Sequence, residues 1–136
     1  MQSGATWMIS EELSRDLEIL KDRGRVFEVI EADGNIYIFF KNFPLPSGIY
    51  NSETTDLIIF TIPSYPSAGF DMFWTSEELK LKDGRIPQNA DSITMHLGKR
   101  WRRFSYHPYS SKQWNPATDD VNSFMEYVMK RLRMGI

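Results

Sequence analysis

Three strand-like runs between Arg25 and Ile62 constrain this chain more than any other feature. "RVFEVIEA" alternates Val26, Glu28 and Ile30 against Phe27, Val29 and Glu31, which is the period of a strand. Asp33-Gly34 follows, a strong two-residue hairpin signal because both residues tolerate positive φ. "NIYIFFKNF" is rich in β-branched and aromatic residues. After the proline- and glycine-marked loop "PLPSGIYNSE", the run "TDLIIFTIP" is almost continuously apolar and reads as a strand buried on both faces. Strands joined this closely run antiparallel, so this part of the chain predicts a β-meander.

A helix precedes the meander. Ser10 is a capping residue, Glu11 and Glu12 suit the positive end of the dipole, and Leu13, Leu17 and Leu20 form one stripe. Gly24 stops it, giving a helix over Glu11 to Arg23. A second helix closes the chain. Val121, Phe124, Met125, Val128 and Leu132 share one face, while Lys130, Arg131 and Arg133 crowd its negative end before Gly135. Asn115-Pro116 reads as its cap, with proline at the first helical position. Between Tyr65-Pro66 and about Arg100 the pattern is irregular, apart from "DMFWT" as a short fourth strand. The fold class is therefore α+β: N-terminal helix, antiparallel meander, long irregular segment, C-terminal helix.

Composition narrows the chemistry. The 136 residues fit a single domain over 1–136, with residues 1–9 as a loose end. The net charge of −2 creates no global field for nucleic acid or anionic lipid. No apolar run approaches the roughly 20 residues of a membrane span, so no membrane partner is expected and a cytoplasmic location fits. The sequence has no cysteine, which excludes thiolate metal sites and cysteine nucleophiles. His96 and His107 lack metal-ligand spacing, and no glycine-rich phosphate loop occurs. No cofactor and no metal are therefore expected, and His96 reads as a solvated loop residue.

The order helix, meander, Tyr-Pro, long segment, Trp-x-Pro and helix resembles the ubiquitin-conjugating enzyme (UBC) fold. "IIFTIPSYPSAGFDMFWT" is similar to that family's strand, Tyr65-Pro66 and close at Phe73-Trp74-Thr75. "QWNPATDDV" is similar to its Trp-x-Pro helix lead-in, with Trp114 and Pro116 matching. The likeness spans roughly residues 10 to 134 and is greatest to the bacterial branch often called the prokaryotic E family. It implies partnership with a ubiquitin-like protein and an activating-enzyme-like protein, often in defence-type gene clusters. The family's His-Pro-Asn is absent, as is its catalytic cysteine. Counting back from Trp114 to the family's cysteine position reaches Ser105, Tyr106 and His107.

"WRRFSYHPYSSKQWNP", Trp101 to Pro116, therefore holds the candidate site, and three readings stand. In the first, Ser105 is an acyl-accepting nucleophile. If "RFSYH" is extended, Ser105 and His107 point to one side, and a histidine with a pKa of about 6.5 can be the base at neutral pH. Ser110 and Ser111 are the next hydroxyls. Arg102 or Arg103 would steady a glycine carboxylate or the oxyanion. In the second, the fold persists without chemistry, and Tyr106, His107 and Tyr109 shape a surface for the ubiquitin-like tail or the activating partner. In the third, "KRWRRF" tracks phosphates and stacks bases, although no nucleic-acid motif accompanies it and no nucleic acid is expected as a partner.

Overall fold

In the computed structural model, residues 9–105 and 114–136 are described. The element order is α1 (Glu11–Asp22), β1 (Glu28–Ala32), β2 (Asn35–Pro44), β3 (Thr54–Thr61), β4 (Phe73–Ser76), β5 (Ser92–His96), β6 (Lys99–Phe104) and α2 (Val121–Met134). The six strands form one sheet in the order β1-β2-β3-β4-β6-β5, and each neighbouring pair runs antiparallel. The fold is α+β with a UBC-like layout, as the sequence predicts.

Strand alternation divides the apolar residues between two faces. Ile36, Ile38, Phe40, Leu57, Ile59, Phe73 and Phe104 pack with the Leu13/Leu17/Leu20 stripe of α1 and the Val121/Phe124/Val128/Leu132 stripe of α2. Tyr37, Ile58, Trp74 and Trp101 form a second cluster with Phe39 and Phe60. β3 contributes to both, which explains its unbroken apolar run.

Local signals account for most boundaries. Ser10 Oγ accepts the Leu13 N–H at 3.1 Å, capping α1. Asp33 and Gly34 take φ of 55° and 79° between the paired Ala32 and Asn35, the geometry of a type I′ hairpin.

Two expectations require correction. The segment from Tyr65 to Arg100 is less irregular than predicted: besides the expected fourth strand, β4, it contains all of β5 and the start of β6. The β5–β6 hairpin turns on Leu97 and Gly98, with φ of 55° and 72°. Leucine is a poor residue for positive φ, but here its side chain packs against the second cluster. The cap of α2 is Asp120, not Asn115. Ser123 N–H donates to Asp120 Oδ1 at 2.9 Å while Asp120 N–H donates to Ser123 Oγ at 3.0 Å, a reciprocal capping box. Asn115 and Pro116 instead open a turn in which Asn115 O accepts from Thr118 N and Asp119 N. Pro116 suits that turn's second position as well as it suits a helix start.

Candidate active site

Ser105 follows the last residue of β6 and is half-buried. Its N–H donates to Asn89 O at 2.9 Å, which fixes the strand end against the Gln88–Ala90 segment. Three consecutive carbonyls of that segment are held. Gln88 O accepts from Arg131 Nη2 at 2.7 Å, Asn89 O from Ser105 N, and Ala90 O from Arg102 Nη1 at 2.7 Å. Arg131 also lies 5.3 Å over the Phe104 ring. Asn89 has φ of 60° and is exposed. The chain thus carries an asparagine next to the end of β6 on a firmly tied loop.

The basic run of β6 divides by strand alternation. Arg102 is 6% exposed. Besides Ala90 O, its guanidinium reaches Glu77 O through Nε at 3.1 Å and Nη2 at 2.9 Å, so it ties the end of β4 to the 88–90 segment. Arg103 points to the other face. Its Nε donates to Ser105 Oγ at 3.2 Å and its Nη2 to Ser92 Oγ at 3.4 Å. Lys99 pairs with Asp56 at 3.1 Å and lies over the Trp101 ring. Arg100 pairs with Glu77 at 2.7 Å. Trp101 is buried. Each cation of "KRWRRF" therefore has a partner inside the domain, and the run is not a free cationic stripe.

A separate anchor lies at the Tyr65-Pro66 segment, whose peptide bond is cis. Trp114 Nε1 donates to Pro66 O at 2.7 Å, and its ring lies 6.1 Å from Tyr65 and 6.2 Å from Phe70, centre to centre. Gly69 is required here because a Cβ would fall inside the Trp114 ring. Trp114 is half-buried and seats against this loop. Trp114→Ala is expected to lower the unfolding free energy by about 3 kcal/mol. The check is a shift in urea midpoint at constant m, and a loss under about 1 kcal/mol would place the ring's energetics at the surface.

Tyr65 joins three elements. Its hydroxyl donates to Asp16 Oδ2 at 2.7 Å and accepts the Val121 N–H at 3.0 Å. Burial, then the hydrogen bond to Asp16, raises its pKa far above the ordinary tyrosine value, and burial also raises that of Asp16. The fold therefore holds Tyr65 protonated while the unfolded chain ionises it near pH 10. Its contribution is complete below about pH 10 and is lost as pH rises beyond it. Tyr65→Phe should cost about 1–3 kcal/mol at neutral pH, by leaving Val121 N–H and Asp16 without this partner. It should also flatten the alkaline fall in urea midpoint above about pH 10; Tyr50, raised by burial, retains part of it. Parallel alkaline limbs in the two proteins would refute this assignment.

His96 is not a solvated loop residue. It ends β5 with its ring against Trp74, Phe60 and Tyr37 at 4.9, 5.5 and 5.9 Å, and Nδ1 lies 3.0 Å from the Tyr37 hydroxyl. Burial lowers its pKa. No group of three or more potential metal-ligating side chains occurs among the described residues.

Among the residues singled out from the sequence, the structure brings Ser105 and Arg103 together and commits Arg102 to internal carbonyls. Tyr106, His107 and Tyr109 lie outside the described residues, as do Ser110 and Ser111. The supports that sequence reasoning missed are Asn89 and Arg131. The signal for Arg131 was its spacing, three residues after Val128 on the apolar stripe.

A family model described as Prokaryotic E2 family E matches residues 13–134. No curated protein and no solved structure matches the chain.

Proposed function

Because the chain belongs to prokaryotic E2 family E, we propose that it is a conjugating-enzyme-type component of a ubiquitin-like pathway that receives the acyl group on Ser105. Its partners are an activating-enzyme-like protein and the ubiquitin-like protein itself, in the cytoplasm, with a role in defence against viruses. The observation that carries this reading is the pairing of Ser105 with Asn89 and Arg103: a hydroxyl on a fixed strand end, a guanidinium on its oxygen, and an asparagine on a tied loop beside it.

Chemically, Ser105 Oγ attacks the carbonyl of the ubiquitin-like carboxyl terminus while it is held as a thioester on the activating partner. The new C–O bond forms, the C–S bond breaks, and the thiol leaves with the proton that a base removes from the serine. His107 is the base this reading requires. Arg103, and Asn89 where its amide reaches, stabilise the oxyanion. No helix of the described residues is long and apolar enough to cross a membrane, and no membrane or nucleic-acid partner is proposed.

The test is intact mass after incubation with the activating-enzyme-like protein, the ubiquitin-like protein and ATP. A gain equal to the ubiquitin-like protein less one water, stable to thiol reductant, supports the ester. A second reading has its own observation: Arg103 donates to Ser105 Oγ, and a guanidinium cannot take the serine proton. In that reading the chain binds the ubiquitin-like protein without an adduct, and the same incubation yields a complex with unchanged mass.

A further inference from the structure

A furrow between the two helices carries three arginines that form no salt bridge among the described residues. It has a volume of about 340 Å³, and Leu20, Met125 and Met129 line it as apolar wall. Arg23, Arg25 and Arg133 also line it, against one acid, Glu126. The salt bridges among the described residues join Arg85 to Asp83, Lys99 to Asp56 and Arg100 to Glu77, so none involves these three arginines.

The helix dipoles explain only part of this. Arg133 lies in the last turn of α2 and Arg23 is the C-cap of α1, where cations are favoured. Arg25 lies beyond α1. It is half-buried with its guanidinium 4.6 Å over the Phe43 ring, and burial lowers its pKa. Removing a guanidinium from water without a carboxylate is costly. A planar fork over an aromatic ring is also pre-organised to take a carboxylate edge-on. Met129, half-buried beside it, adapts to varied apolar side chains.

We propose that this furrow docks a segment of a partner protein in which carboxylate side chains flank an apolar side chain. The carboxylates meet Arg25 with Arg23 or Arg133, and the apolar side chain packs on half-buried Met129 over the edges of Leu20 and Met125. The docking uses no residue of the Ser105 site and does not depend on acyl chemistry there.

The experiment is fluorescence anisotropy with fluorescein-labelled hexapeptides holding two glutamates and two leucines in different orders. Parallel sets carry glutamine for glutamate or serine for leucine. At least one order should saturate, weaken with added salt, and weaken about tenfold or more in the double variant Arg23→Glu with Arg133→Glu. Both positions are exposed but lie at helix C-termini, where glutamate is disfavoured, so the comparison is made below the variant's own melting temperature, and the single variant Arg25→Gln should weaken the same peptide. The glutamine and serine sets should both fail. The proposal is overturned if no order saturates, if the double variant binds unchanged while folded, or if the serine set binds as well, which would reduce the furrow to a patch of positive charge. Tighter binding of a DNA duplex through the same arginines would overturn it too.

Discussion

Ser105→Ala should leave the chain unable to take up a ubiquitin-like acyl group, while binding of the ubiquitin-like protein persists. The expectation follows from where the hydroxyl sits. Its backbone N–H is tied to Asn89 O, so the side chain leaves a fixed strand end, and no cysteine is available to substitute for it. An oxygen ester should survive thiol reductant and yield to hydroxylamine or mild alkali. Ser105→Cys should convert it to a reductant-sensitive thioester at the same place. His107→Ala should slow formation by roughly 10²–10⁴-fold, the usual contribution of a positioned base. Arg103→Ala tests the guanidinium separately: if Arg103 stabilises the oxyanion, adduct formation slows, whereas if it only occupies the hydroxyl, formation quickens. An adduct that survives Ser105→Ala would sink the Ser105 assignment and direct attention to Ser110 and Ser111. A complex with no adduct under any of these conditions would give the surface to docking alone.

Much of the fold could be read along the chain because its signals are local. The Leu13/Leu17/Leu20 stripe, the Asp33-Gly34 turn and the unbroken apolar run of β3 each state their conformation within a few residues. β5 gives no such statement. It is an edge strand with no fully buried residue, so "SITMH" lacks both a clean alternation and an apolar run. Its turn depends on a leucine at positive φ, whose compensation comes from a distant aromatic cluster. The site is similar. The pairing of Ser105 with Asn89, and the hold of Arg131 on Gln88, join residues far apart in sequence. Two arginines that look like solvent-facing charge are in fact buried. In each case the period gives the reason afterwards: Arg102 alternates with Phe104 toward the helices, and Arg131 falls on the stripe of α2.

Arg102→Met should lower the unfolding free energy by about 3–5 kcal/mol, although it removes a residue from a run that reads as surface charge. The side chain is 6% exposed and donates three hydrogen bonds to the Glu77 and Ala90 carbonyls. Charge-assisted bonds of this kind contribute about 1.5–3 kcal/mol each, and methionine leaves the buried Ala90 carbonyl and the half-buried Glu77 carbonyl without this donor. Arg102→Lys should rescue only part of the loss, because an ammonium cannot span two carbonyls on separate segments as a planar fork does. Arg100→Met is the control two positions away. That arginine pairs with Glu77 at an exposed site, with 60% of its side chain accessible, so its removal should cost under about 1 kcal/mol. Urea midpoints at constant m would measure all three. Equal losses for Arg100 and Arg102 would mean that the guanidinium of Arg102 does not hold the loop. A large loss confined to Arg102 would make β6 the strand that carries Ser105 and also anchors, through Ala90, the Asn89 loop beside it.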